Sequence, residues 1–330
     1  MIWVTWRQFR TQAVVGAVAL GAVAIFLLLL GLRMRADYDA NLAGCMAQGC
    51  APGVVAGFED TYATTVMVVD LGLIAVPGLL GAFWGAPLIG GELAAGTHRL
   101  AWQQSVTRTR WLAVKLLLVG LAATAVTGLL ALLTAWAVSS YDTVRADRFA
   151  ALAFGARGTV PMAYAAFAFV LGATSGLLLR RPVAALGATL AVFTACQFAV
   201  PTALRPHYIA PRTADIRLDA ATLSHADGIV LNGSALTIGG VALPDAWVVS
   251  AGPAAAAAGR EPDGDALAAC LTPGQHARTM ECLAEQNLHV TAHYQPSSRY
   301  WPFQLIETGL YAAMTAALAA LCFARIRRTL

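Results

Sequence analysis

Few residues in this sequence have the type and spacing that chemistry needs. Neither HExxH nor GxSxG occurs, so the motifs of two common hydrolase classes are absent. His289 and His293 stand four apart, but Val290 follows the first, and LHVTAHY has the β-branched pattern of a strand rather than of a metal-binding helix. Asp263 and Asp265, in DGD, form either a weak calcium contact or a solvated loop. Lysine occurs once, at Lys115, against 21 arginines. A Walker A loop needs a lysine after its last glycine to reach the β- and γ-phosphates, whereas Lys115 follows Val114. If ATP drives this protein, another polypeptide must hold the nucleotide.

Two isolated carboxylates and one polar stretch offer a different kind of site. Asp70 and Glu307 lie in otherwise apolar segments, each about six residues, or roughly 9 Å at the helical rise, from the outer end. Carboxylates at such depth face a bundle interior or a wet cavity. Two readings stand. Both line a substrate path that favours cations, or each is structural, paired with Arg205, Arg299 or the backbone, or protonated at an interface. The polar stretch is GGELAAGTHRLAWQQSVTRTRW, residues 90–111. In a helix, Leu93, Gly96 and Leu100 share one face, with Glu92, His98, Arg99 and Gln103 around the others. Glu92 near its start suits the positive end of the helix dipole, and Ser105 and Thr107 are suited to cap the helix that follows. Such an element lies flat on a membrane and offers a polar surface to a partner, or is an interfacial helix without one.

The elements that must position these groups follow from composition. Only 12% of the 330 residues are charged, 58% are hydrophobic and the mean hydropathy is +0.64. A soluble domain needs more charged surface, so the chain reads as a membrane protein. Its net charge of +4 is too small and too scattered to argue for nucleic acid. Crossing a hydrocarbon core of about 30 Å takes roughly 20 mainly apolar residues. Six segments qualify: 13–32, 65–89, 112–138, 161–179, 183–204 and 301–323. The first is too long for a signal-peptide core and no small-residue cleavage site follows it, so it is expected to remain as an anchor. Arg180–Arg181–Pro182 decides the orientation, because a turn that tight between two spans has nowhere else to place its charge. Both termini are then cytoplasmic.

Cys45 and Cys50 fall in the first outer loop, and Cys270 and Cys282 in the last. On the oxidising side these are two disulfides or four free thiols, and the compartment favours the bridges. Cys196 and Cys322 lie within spans as packing residues. MIWVTWRQFRTQ mixes Trp3, Trp6 and Phe9 with Arg7 and Arg10, the pattern of a short interfacial helix leading into the first span. Residues 206–299 form the one sizeable outer domain. There GIVLNGSALTIGGVAL and LHVTAHY suggest strands and hairpins, whereas AGPAAAAAGREPDGD reads as a loop. YQPSSRYWPF leads back to the membrane, with Tyr294, Tyr300, Trp301 and Phe303 as an aromatic belt and Pro302 in the first turn of the sixth helix. The expected fold is an all-α polytopic membrane protein with a β-rich or α+β extracellular domain. Its parts are a transmembrane domain, 1–205, the extracellular domain, 206–299, and the sixth span with a cytoplasmic tail, 300–330.

These residues resemble the ABC-2 type permeases, also called type V ABC exporters, and among them the actinobacterial members. That family joins its second and third spans by a cytoplasmic coupling helix of pattern E-x-x-x-G-T, followed by a T/S-P/V-x-R element and a lysine before the third span. Here the positions are Glu92, Gly96 and Thr97, then Ser105, Val106 and Arg108, then Lys115, with Val106 in place of the usual proline. The N-terminal interfacial helix, the six spans and YQPSSRYWPFQLIETG are similar too. The outer domain is larger than the short re-entrant helices usual in the family.

The resemblance implies a dimer of permeases in the lipid of the cell membrane, formed with a second copy or a paralogue. The dimer carries separate ABC ATPase subunits that bind ATP and Mg, and this chain holds no cofactor and is no enzyme by itself. Residues 90–111 would dock in an ATPase groove, with Arg99 and Arg108 pairing with carboxylates and Trp102 as an aromatic anchor. Closure of the ATPases would switch the spans between inward- and outward-open states. The expected function is export of a drug, antibiotic, peptide or lipid-like molecule. A membrane-anchored sensor or assembly protein with a ligand-binding outer domain is the second reading. An intramembrane enzyme using Asp70 and Glu307 is the third, weakened by their distant helices and the lack of a nucleophile beside them.

Overall fold

The structure is a computed structural model that describes residues 2–46, 48–95, 107–219, 223, 228–232, 235–240, 243, 246–256, 260, 262–270 and 276–329. They fall into two compact units, one of Met1–Arg145, Ala150–Arg205 and Trp301–Leu330, the other of Ala146–Phe149 and Pro206–Tyr300.

The first unit is helical. α1 (Ile2–Asn41) is one unbroken helix of 40 residues, about 60 Å long at the helical rise. The short leading helix expected at the N-terminus is therefore not a separate element. Residues 2–13 contain neither Pro nor Gly to interrupt the backbone. α2 (Pro52–Leu80) starts with proline in its first turn. It continues through a π-helical turn, Gly81–Gly85, into α3 (Ala86–Ala95). The helix thus runs on past residue 90, where the polar stretch was expected to begin as an element of its own.

α4 (Arg108–Ala137) is capped by Thr107, whose hydroxyl accepts the Arg110 N–H at 3.3 Å. Two short helices that the apolar pattern does not announce, α5 (Ser139–Arg145) and α6 (Ala151–Ala156), precede α7 (Val160–Leu179). Arg180, in the left-handed region at φ 54°, ends α7, and Pro182 opens α8 (Pro182–Ala199). α8 passes through a second π turn, Val200–Leu204, into a single 3-10 turn, Arg205–His207. The C-terminal helix spans Tyr300–Thr329. Among the described residues, six helices are long and apolar enough to cross a membrane: Gly16–Asn41, Gly53–Glu92, Arg108–Ala137, Val160–Leu179, Pro182–His207 and Ser297–Arg328.

α7 is the axis of this unit and is buried along most of its length. Its small residues let a second backbone come into contact with it, as helices in lipid require. A Cβ on Gly172 would collide with the Gly81 carbonyl, and one on Gly176 with the Ala86 carbonyl. Reciprocally, a Cβ on Gly81 or Gly85 would strike the carbonyl of Ala168 or Phe169. Ile89, Leu112, Val119, Phe169 and Ala173 close the core around this contact. Outward, Leu28 and Leu29 on α1, Leu117 and Leu121 on α4, and Leu305 on the C-terminal helix are exposed.

The second unit is a five-stranded sheet ordered β1-β5-β4-β3-β2. Its strands, all paired antiparallel, are β1 (Arg212–Arg217), β2 (Gly228–Asn232), β3 (Ala235–Gly239), β4 (Ala246–Ala255) and β5 (His289–Pro296). Alternation along β5 places Val290 and Ala292 in the core and Thr291 and His293 outside. Leu236, Ile238, Ala254 and Val290 pack against Leu267 of α9 (Gly264–Cys270) and Leu283 of α10 (His276–Glu285). AGPAA, read as the start of a loop, is instead the last half of β4. Ala254 is buried opposite Val290, and exposed Pro253 falls within a register shift of the ladder, where its missing N–H is tolerated. Phe149 joins this unit by stacking on Trp247, ring centroids 5.6 Å apart. Tyr300 also packs against Phe149, so only Trp301 of the expected belt's Tyr300, Trp301 and Phe303 is exposed.

Both expected disulfides are formed, Cys45–Cys50 between α1 and α2 and Cys270–Cys282 between α9 and α10. Replacing Cys270 and Cys282 with serine is expected to cost the sheet unit about 3 kcal/mol, mainly by freeing the unfolded chain. Limited proteolysis of the full-length protein in rising urea measures this through cleavage within residues 206–300. An unchanged cleavage midpoint refutes it.

Candidate functional site

Ion-paired clusters in the helical unit bring together residues that apolar helices carry only at high cost. The first joins the ends of the polar stretch. Lys115, two turns into α4 and 4% exposed, places Nζ 2.5 Å from Glu92 Oε1 and 4.8 Å from the centroid of the Trp111 ring. α3 and α4 are thereby tied together at the base of the connection between them. Gly96, Thr97, Arg99 and Trp102, with Ser105 and Val106, lie outside the described residues. Arg108 is exposed on the first turn of α4.

The second cluster centres on Asp70, about two thirds of the way along α2 and 3% exposed. Arg157 donates from Nη1 to Asp70 Oδ2 at 3.1 Å, while its Nε stands 2.9 Å from Asp142 Oδ2 on α5. One guanidinium thus bridges two carboxylates from different helices. The other Asp70 oxygen has no hydrogen-bond partner among the described residues.

The third is the most enclosed. Glu307, fully buried, accepts two hydrogen bonds from Arg205 Nε and Nη2, each 2.9 Å, and one from the Tyr164 hydroxyl at 2.5 Å. The Arg205 guanidinium also lies over the Phe154 ring, 4.1 Å from its centroid. One turn earlier, Gln304 Oε1 accepts the N–H groups of Thr159 and Val160 at 3.1 and 3.2 Å, and Nε2 donates to the Phe154 carbonyl at 2.9 Å. Gln304 therefore satisfies N–H groups that the start of α7 leaves open. Thr308 meets Thr159 at 2.9 Å, and the Tyr311 hydroxyl donates to the Cys196 carbonyl at 3.4 Å. Gln304, Glu307, Thr308 and Tyr311 repeat at i, i+3, i+4 and i+7, one polar face of an apolar helix.

Asp70 and Glu307 are thus held in separate clusters, each by its own arginine. Of the partners the sequence allowed, Arg205 is the one Glu307 takes. Neither carboxylate lines the cleft of about 500 Å³ between α1, α2 and α4, whose walls are apolar side chains such as Leu20, Val23, Leu79, Phe83 and Val126. Asp142, Arg157, Tyr164 and Gln304 are members of these clusters that the sequence did not single out. The i, i+3, i+4, i+7 stripe was a readable signal for Gln304. Asp142 and Arg157 gave none, because they sit in the short polar connection between two spans.

Elsewhere, β5 is extended, so four residues separate His289 from His293 by roughly 13 Å, too far to share a metal. His289 Nδ1 instead lies 3.1 Å from Asp215 Oδ2. Asp263 Oδ1 accepts the Asp265 N–H at 3.1 Å, as a cap at the start of α9. No group of three or more His, Cys, Asp or Glu among the described residues is placed to hold a metal ion.

Part of the helical unit has a counterpart among known protein families. Residues 17–205, more than half of the chain, match the family described as ABC-2 membrane transporter related. The chain belongs to that family. No curated protein and no solved structure matches it. This ABC-2-related chain is a multi-pass membrane protein, and the family match ends at Arg205, one residue before the sheet unit resumes at Pro206. Three of the six candidate spans lie wholly inside the match and two more all but one or two residues, and the Glu92–Lys115 pair and the Asp70–Arg157–Asp142 bridge fall inside it. Glu307 and the sheet unit fall outside it.

Proposed function

We propose that the chain is the permease subunit of an ATP-driven exporter of the type V architecture. In this reading both termini and residues 96–106 face the cytoplasm, and the sheet unit faces outward. Separate ABC ATPase subunits bind ATP and Mg and grip residues 90–111, and a second permease copy or a paralogue completes the assembly. The observation that carries the reading is the Glu92–Lys115 pair within the family match. It ties the two helices that flank 96–106, so a push on that connection reaches α2 and α4 as a unit. Ion pairs buried between helices suit this task, because packed interfaces re-pair between discrete arrangements rather than bend continuously. Asp70 and Glu307 then act as latches between helices.

Two experiments test the proposal. Affinity purification in mild detergent is expected to bring down a Walker-containing ATPase. In the reconstituted complex, Glu92→Lys is expected to lose most of the permease-stimulated ATP hydrolysis while the protein stays in the membrane. The exchanged pair Glu92→Lys with Lys115→Glu is expected to recover part of it. Wild-type coupling in the single variant refutes the coupling role of this pair. Absence of any ATPase favours instead a membrane-anchored sensor whose ligand site is in the sheet unit, the portion that lies outside the family match.

A further inference from the structure

A smaller cavity, of about 280 Å³, opens between the last turns of α1 and the first turns of α2. The apolar run of α1 ends at Leu32, just before Arg33, so the cavity sits at the polar ends of two candidate spans. Asp37 and Asn41 face it from α1, and Gly57, Phe58, Thr61 and Tyr62 from α2. Beside Gly57 the space is free: a Cβ there would meet nothing within 4 Å. The Tyr62 hydroxyl donates to Asp37 Oδ2, and Arg33 lies against the same hydroxyl. Asn41 fixes the end of α1 by donating from its side chain to the Asp37 carbonyl at 3.0 Å. Phe58 and Tyr62, ring centroids 5.1 Å apart, and Tyr38, 6.4 Å from Phe58, form a continuous aromatic group.

Asp37 carries the formal charge among the residues that line this cavity, while Arg33, set against the Tyr62 hydroxyl, is not part of the lining. Beside Asp37 stand ring faces that are themselves electron-rich. Together these features attract a compact cation. The surroundings add to the attraction, since Asp39, Glu59 and Asp60 join Asp37 on these turns against Arg33 and Arg35. Arg35 is already committed to the Trp136 carbonyl at 3.1 Å and to the Ser139 hydroxyl at 3.2 Å. The volume lies at the lower edge of small-molecule sites, which suits a headgroup rather than a drug-sized body.

We propose that this cavity binds an alkylammonium group, with the ammonium on the Asp37 carboxylate and its carbon substituents against Phe58 and Tyr62. The inference does not depend on the transport reading. The group comes from a phosphatidylethanolamine headgroup or from a free amine, and one experiment separates the two. Delipidated full-length protein in mild detergent is titrated with ethanolamine by calorimetry, and with phosphatidylethanolamine or phosphatidylglycerol by native mass spectrometry. Saturable binding of an amine is expected, weakened about tenfold or more by Asp37→Asn. Gly57→Leu, which fills the cavity and leaves the Asp37–Tyr62 bond in place, is expected to abolish binding with no loss of thermal stability. Binding of phosphatidylethanolamine alone identifies the lipid, and binding of ethanolamine as well identifies the free amine. Absence of saturable binding, equal affinity for phosphatidylglycerol, or undiminished binding by Gly57→Leu overturns the proposal.

Discussion

Glu307→Ala is expected to lower the stability of the helical unit by about 3–5 kcal/mol, the cost of leaving a buried charge without its partner. The stranded group is Arg205, 2% exposed, whose Nε and Nη2 both bond to Glu307. The Phe154 ring beneath its guanidinium cannot stand in for a carboxylate. Tyr164 loses its acceptor in the same substitution, and Tyr164→Phe alone is expected to cost about 1.5–3 kcal/mol, as for other hydrogen bonds to charged groups. The size of the effect comes from the broken pair, not from the worth of the pair itself. Arg205→Met with Glu307→Leu, which removes both charges and keeps the volume, is therefore expected to recover more than half of the loss. Unfolding by sodium dodecyl sulfate in mixed micelles measures all three. A single variant within about 0.5 kcal/mol of the natural protein would refute the latch, since surface changes alone fall in that range.

Gly172→Leu is expected to be more damaging still to assembly of the spans. Its Cβ would enter the space of the Gly81 carbonyl, which belongs to a backbone and cannot rotate away. Overpacking costs about 1–3 kcal/mol where side chains yield. Here two helices must separate, and every backbone contact along Gly81, Gly85, Gly172 and Gly176 goes with them. The expected result is loss of the monodisperse peak in size-exclusion chromatography, at expression levels that leave membrane insertion intact. Gly187→Ala in α8 and Gly309→Ala in the C-terminal helix serve as controls, because nothing lies within 4 Å of a Cβ at either position. Each is expected to be neutral or to stabilise by about 0.5–1 kcal/mol, the usual penalty of glycine inside a helix. Equal behaviour of Gly172→Leu and these controls would show that the close approach is not what holds α2 and α7 together.

Hydropathy made the six long helices readable, because a run of twenty apolar residues has few alternative fates. It did not place their ends. α1 and the α2–α3 rod extend well past the apolar windows; in α1 the added residues, 2–12 and 33–41, contain no Pro or Gly to interrupt the backbone. The two disulfides were legible from cysteine pairing within single loops. The partners of Asp70 were not, because Arg157 is distant in sequence and reaches it only after α5 and α6 turn the chain back. Glu307 was half legible: its cost announced a partner, and Arg205 was one of the two arginines named. Glu92 and Lys115 were each singled out, but as motif positions, and their contact across the connection was invisible to spacing alone. In the sheet unit, small residues misled, since Ala and Gly pair in a ladder as well as they populate a loop.

The two π turns, Gly81–Gly85 and Val200–Leu204, carry a consequence for how these helices tolerate insertion and deletion. Such a turn amounts to one supernumerary residue, worth about 100° of azimuth for everything downstream. Glu92 follows the first and Arg205 the second, so the direction in which each charge points is fixed by counting rather than by composition. Excising a single residue from either turn would leave the greasiness of the rod untouched, yet swing its terminal ion away from Lys115 or Glu307.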